Sequence, residues 1–165
     1  MRLIVALTAV ALVIAAPSFA QRHSASASTQ MMAAATDLAS RFESSWNAAD
    51  GSAYGEAYWP EAELVDPTGR VWNSRQAIVR THLDLWARGR SQARASVRRV
   101  RRLTDRLMIV DIVTTVCGFT QLPPGARGDS RGCVWSNLKH VAEKRGGEWK
   151  IFASQNTFAP PPEGS

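Results

Sequence analysis

The 165-residue chain holds only two cysteines and three histidines. His23, His82 and His140 stand too far apart to form a metal-ligand spacing, so the sequence predicts no metal site. It contains no Gly-rich phosphate loop and no nucleophile signature around a serine, and no tightly bound cofactor is expected. There is no internal repeat. Long hydrophobic runs are as scarce: Leu3 to Ala16 is the one that stands out. It is shorter than the ~20 residues that cross a bilayer, and no second run follows, so the mature protein is expected not to span a membrane.

That run follows Met1-Arg2 and breaks at Pro17 before Ser18-Phe19-Ala20, with small residues where signal peptidase reads. Residues 1–20 therefore read as a removable secretory signal cut near Ala20, which makes the protein periplasmic or secreted. No cysteine near Ala20 offers a lipid attachment site. About 145 residues remain after cleavage, the size of one domain with a real core. With 45% hydrophobic and 21% charged residues the composition is that of a globular protein. Residues 21–35 read as a flexible N-terminal segment and helix start, 36–158 as the domain, and 159–165 as a flexible Pro-rich tail.

The net charge is +6, and the excess gathers in Arg88, Arg90, Arg94, Arg98, Arg99, Arg101, Arg102 and Arg106. Basic clusters attract nucleic acid or anionic surfaces. Without interleaved aromatics, and in an exported protein, nucleic acid is not the expected partner.

Met31, Ala35, Leu38, Phe42 and Trp46 recur at helical spacing and predict a first helix over Gln30 to Asn47. Ser52 offers a cap for a short second helix through Tyr58, which Pro60 must stop. Glu61 to Asp66, a Pro67-Thr68-Gly69-Arg70 turn and Val71-Trp72 predict a hairpin, and Asn73 or Ser74 can cap a third helix ending near Gly89. Beyond it, Ala95 to Leu103, Leu107 to Phe119, Cys133 to Glu143 and Trp149 to Phe158 are rich in β-branched and aromatic residues and predict four strands. Helices first and long antiparallel strands after them point to an α+β layer fold.

Cys117 and Cys133 each sit at the turn end of a predicted strand, flanking the loop Gln121-Leu122-Pro123-Pro124-Gly125-Ala126-Arg127-Gly128. In an oxidising compartment they are candidates for a disulfide, the alternative being two buried free thiols. A disulfide would register the hairpin so that paired residue numbers sum to 250. Asp111 would then face Lys139, Val113 would face Asn137, and Thr115 would face Trp135, all on one side of the sheet.

Phe42-Glu43-Ser44-Ser45-Trp46-Asn47-Ala48-Ala49-Asp50, then Tyr54 and Tyr58, then Asp66-Pro67-Thr68-Gly69-Arg70-Val71-Trp72, Ala77-Ile78, His82, Trp149-Lys150-Ile151 and Gln155-Asn156-Thr157 follow in a familiar order. Over residues 36–158 this pattern resembles the nuclear transport factor 2-like superfamily, and within it the SnoaL-like group of SgcJ and EcaC. The resemblance implies a cone-shaped fold, with three N-terminal helices packed on a curved, mostly antiparallel sheet that encloses a pocket. It also implies a homodimer joined through the sheet. Relatives include isomerases, hydrolases and dehydratases beside proteins that only bind, so whether this chain is an enzyme stays open.

Asp66 on a strand and His82 on the next helix are the candidate acid-base pair, a carboxylate charging an imidazole that works near neutral pH. Asp66 is equally an ordinary turn residue, and His82 a packed helix residue. Asp111, Asn137 and Lys139 form a polar cluster in the pocket if their face is concave, and a surface ion pair if it is convex; the pocket placement is the expectation. Trp72, Trp86 and Trp135 are candidates for the pocket wall, whereas Trp46 and Trp149 read as core. Of Gln155 and Asn156 only one can look into the cavity, and Asn156 is assigned there. The expected ligand is a small apolar or amphipathic molecule. The first reading is thus an exported small-molecule-binding domain, the second a cofactor-free isomerase, hydrolase or dehydratase, and the third a partner-binding dimer acting through its sheet.

Overall fold

A computed structural model describes residues 19–162, with side chains from residue 26 onward. Most of the proposed signal and residues 163–165 lie outside the described residues. The elements are α1 (Phe19–Ala48), α2 (Gly51–Glu56), β1 (Tyr58–Val65), β2 (Val71–Trp72), α3 (Arg75–Ala87), β3 (Gln92–Arg102), β4 (Leu107–Cys117), β5 (Val134–Arg145) and β6 (Glu148–Ala159). This is the predicted order of three helices around a hairpin, then four strands. The sheet runs β2-β1-β6-β5-β4-β3, and only the β1–β6 pair is parallel. It is open, with the helices packed on one face.

α1 starts at Phe19, upstream of the predicted Gln30 start. Met31, Ala35, Leu38 and Trp46 are buried along its predicted apolar face. Its polar side chains also reach the free edge of β3. Asn47 accepts from the Ala93 N–H at 2.7 Å and donates to the Ala93 carbonyl at 3.1 Å, while Glu43 accepts from the Ala95 N–H at 3.0 Å. These side chains satisfy an edge that would otherwise be open to another strand.

Asp50, not Ser52, caps α2: its backbone is extended and its carboxylate accepts from the Ala53 N–H at 3.0 Å. Aspartate is as good a cap as serine, and the chain takes the one that starts the helix two residues earlier. Tyr58 is already strand, so Pro60 does not end the helix. It lies where β1 pairing with β6 jumps from Tyr58 to Glu63, an irregularity that tolerates the missing N–H. Gly55 lets α2 press on α3, since a Cβ there would stand 2.9 Å from a Val79 methyl.

Cys117 and Cys133 are joined in a disulfide. The β4–β5 register follows it, with Asp111 opposite Lys139, Val113 opposite Asn137 and Thr115 opposite Trp135. Met108, Val110, Ile112, Thr114 and Val116 alternate with these residues and are buried under the helices, as are Val134, Ser136, Leu138, His140 and Ala142 of β5. The even-numbered face is therefore the inner one, and the odd-numbered face looks outward.

Replacing both cysteines by serine should lower the unfolding free energy by about 3 kcal/mol, the chain entropy released from a loop of this length. Urea denaturation of oxidised and double-serine proteins measures this; equal midpoints would show that the loop is held without the disulfide.

Candidate functional site

A cavity of about 640 Å³ lies between the inner sheet face and the helices. Phe42 and Trp46 of α1, Tyr54 of α2 and His82 of α3 close one side. Thr114, Val134, Ser136, Leu138 and Asn156 form the sheet side, and Asp66 and Trp72 come from the hairpin between the helices. Phe119, Pro123 and Pro124 wall it from the loop between β4 and β5, whose two ends the disulfide ties together. Most of this surface is aromatic or aliphatic, as small-molecule sites are.

Tyr54 and Tyr58 lie one helical turn apart in sequence, and their hydroxyls are 3.4 Å apart. The Tyr54 hydroxyl is 2.9 Å from His82 Nε2, and His82 Nδ1 is 2.7 Å from the Ile78 carbonyl. A carbonyl can only accept, so Nδ1 carries the proton; Nε2 of the neutral ring then accepts from Tyr54. The imidazole sits against Tyr54, Trp46 and Trp86, with ring centroids 4.3, 5.8 and 5.9 Å away. Burial pushes its pKa down to about 4, against the opposing pull of the Ile78 carbonyl and the Asp66 charge. Burial also raises the Tyr54 hydroxyl well above its ordinary value, helped by Tyr58, and carries Tyr58 to about 12 although its bond to Tyr54 opposes this. The trio is neutral near pH 7.

Asp66 and His82 face one cavity but make no hydrogen bond to each other. Asp66 Oδ1 accepts from the Thr68 N–H at 2.8 Å, the Arg70 N–H at 3.0 Å and the Thr68 hydroxyl at 2.6 Å, while Trp72 Nε1 is 3.4 Å from Oδ2. Partial burial works against ionisation, but the Thr68 hydroxyl, the two backbone amides and the indole outweigh it and hold the carboxyl below its ordinary value. The aspartate is thus both the turn residue and the pocket residue that the sequence offered as alternatives.

Asn156 points into the cavity, opposite Leu138 on β5, and Gln155 points outward beside Lys139. Asn156 Oδ1 is shielded from water and accepts no hydrogen bond from the protein. Nearby on the sheet, the Thr114 and Ser136 hydroxyls bond each other at 2.7 Å.

Five expected pocket residues take other positions. Asp111, Asn137 and Lys139 lie on the outer face, where Asp111 and Lys139 form an ion pair, so the convex reading is the one the fold adopts. The reason is register: they share the odd-numbered face, and the more apolar even-numbered face is the one the helices cover. Trp135 shares that outer face, and its indole lies 3.4 Å from Asp129 Oδ2. Trp86 is buried behind the cavity wall against Trp46 and Tyr54, its Nε1 without an acceptor. Trp72 is where it was expected. Among residues the sequence reading passed over, Thr114 and Ser136 carried a usable signal: two hydroxyls paired by the same register on an otherwise apolar face. Phe158 carried one as well, two residues after Asn156 on the same strand face, whereas Phe119 carried none because its inward aim depends on the loop.

Set beside solved structures, the chain superposes on a domain of unknown function with a cystatin-like fold from Nostoc punctiforme, with TM-score 0.68 at 19% identity, covering 82% of this chain and 81% of that one. It superposes on a hexachlorocyclohexane dehydrochlorinase, LinA type 2, with TM-score 0.67 at 12% identity over 84% and 99%. An NTF-2 like protein of unknown function from Shewanella oneidensis MR-1 aligns with TM-score 0.58 at 14% identity over 81% and 98%. This chain has the NTF2-like fold. No protein-family model matches its sequence, and no curated protein sequence does. At these identities the NTF2-like likeness establishes architecture and leaves chemistry to the residues. Among the described residues no three His, Cys, Asp or Glu side chains gather as a metal site, and no helix is long and apolar enough to cross a membrane.

His140 is a second buried imidazole, 2.8 Å from the Ser154 hydroxyl and lowered by burial to about 4. Both rings stay neutral in the folded chain while the unfolded chain protonates them near 6.5. The stability they support is complete above pH 6.5 and is lost as pH falls toward 4. Unfolding at pH 5 should therefore take up about two protons, and about one in a His82→Gln variant. Urea midpoints measured from pH 7.5 to 4.5 test this; a flat profile would contradict it.

Proposed function

We propose that the protein is an exported small-molecule-binding domain, and that its ligand is an apolar or aromatic body carrying one hydrogen-bond donor. The observation that carries this reading is Asn156 Oδ1, a buried acceptor without a partner among the described residues, on a side chain that lines a cavity of mostly aromatic and aliphatic surface. An unpaired buried acceptor costs on the order of 1–3 kcal/mol, which a ligand donor would recover. Export is supported by the signal-like residues 1–20 and by the disulfide. Trp72 and Asp66 stand at the same cavity as Asn156 and would meet the ligand's far side.

An acid-base enzyme is the second reading, favoured by Asp66 and His82 lining one cavity and by a dehydrochlorinase among the structural neighbours. The neutral His82 accepts from Tyr54 and the aspartate is held in its turn, so a substrate would have to displace one of these bonds to reach either group. If Asp66→Asn and His82→Gln leave an observed turnover intact, this assignment fails.

Binding can be read by displacement of 8-anilinonaphthalene-1-sulfonate, comparing naphthalene with 2-naphthol. The hydroxyl should favour 2-naphthol by about tenfold in the wild type, and Asn156→Leu should remove that preference while naphthalene binds as before. Equal affinities in the wild type, or a preference that survives in Asn156→Leu, would overturn the role given to Asn156.

A further inference from the structure

The outer face of the sheet holds a groove of about 580 Å³ that has no part in the inner cavity. It is built by register. Arg99 of β3 stands opposite Asp111 of β4, Asp111 opposite Lys139 of β5, and Lys139 opposite Gln155 of β6. One row of polar side chains thus crosses four neighbouring strands, a span of about 14 Å. The next row on the same face carries Asn137 opposite Thr157.

The pairing of β3 with β4 skips a residue between Val97 and Arg99. That irregularity turns two consecutive residues, Arg98 and Arg99, to the same groove, where regular alternation would send one of them inward. Both are exposed, and among the described residues neither makes an ion pair. Lys139 is already paired with Asp111, so the groove's uncompensated charge is that of the two guanidinium groups. Arg94, farther along β3, is 87% exposed but paired with Glu43 and adds no free charge to the groove.

We infer that this groove binds an acidic polysaccharide, its carboxylate or sulfate groups held by Arg98 and Arg99 and its hydroxyls by Asn137, Gln155, Thr157 and the Asp111 carboxylate. Guanidinium forks match planar oxyanions in two-point contact, and a row of amide, hydroxyl and carboxylate groups beside them suits a ligand that is both anionic and rich in hydroxyls. Single-stranded nucleic acid fits less well, because no aromatic ring lines the groove to stack a base. A second copy of the chain would bring like-charged arginines together. The site stands independently of the pocket reading, since it shares only the backs of Ile112 and Leu138 with the inner side.

The test is affinity for heparin, measured by titration in buffers of increasing NaCl on the mature chain. Arg98→Ala with Arg99→Ala should weaken binding at least tenfold and flatten its salt dependence, whereas Arg80→Ala with Arg127→Ala, removing equal charge elsewhere, should change it less than about twofold. Gln155→Ala should weaken it with the salt dependence unchanged. Binding of 8-anilinonaphthalene-1-sulfonate should be the same in all these variants, so a failed groove and a failed pocket give separate results. Equal losses in the two double variants would reduce the effect to net charge and overturn the site. So would duplex DNA or phosphatidylglycerol vesicles competing as well as heparin at equal charge, or a dimer in solution that dissociates when Arg98 and Arg99 are replaced.

Discussion

The register of the β4–β5 hairpin is the constraint on which the rest depends. A slip of one residue in either strand would exchange that strand's two faces and turn Asp111 or Lys139 under the helices. The disulfide at the loop end of the hairpin excludes that slip, because only one pairing brings Cys117 opposite Cys133. Asp129 reinforces it from within the loop: its carboxylate, shielded from solvent, accepts from the Cys133 and Arg131 N–H groups at 2.9 Å each, with the Trp135 indole nearby. Those contacts, led by the Cys133 amide, bring its pKa down to about 2. Phe119, Pro123 and Pro124 reach the cavity because this loop is pinned at its base and along its return.

The cavity is surrounded by polar groups that have satisfied one another. Tyr58, Tyr54, His82 and the Ile78 carbonyl form one sequence of contacts, Thr114 and Ser136 another, and Asp66 is occupied by its own turn. Buried polar atoms stay inexpensive only when paired, and here the pairing leaves the imidazole and both phenols uncharged. Among the described residues, the buried side-chain atom left unpaired at the cavity is Asn156 Oδ1. Under the proposed reading, a mostly apolar wall with one unpaired buried acceptor would discriminate by ligand shape and by one hydrogen bond.

Much of this was legible in the sequence. The helix face through Met31, Ala35, Leu38 and Trp46, the order of elements and the hairpin register follow from periodicity, turn residues and two cysteines. The choice of inner face was not legible, because β4 carries Met108, Val110 and Ile112 on one side and Ile109 and Val113 on the other, and only helix packing decides between them. Trp86 misled for a related reason: its place on the third helix was clear, but whether it looked at the cavity or into the helix layer depended on the rings of Trp46 and Tyr54 that cover it. Asp50 displaced Ser52 as a cap because the two are nearly equivalent locally. Asp66 both closes its own turn and lines the cavity, which no local rule separates.

The most direct measurement of the central claim is a crystal structure of residues 21–165 purified from the exported fraction without added ligand. The expected result is an open cavity holding non-protein density between Trp72, His82 and Asn156, with an atom within hydrogen-bond distance of Asn156 Oδ1. A cavity closed by Trp72 and Phe158, with Asn156 bonded to another protein group, would contradict it.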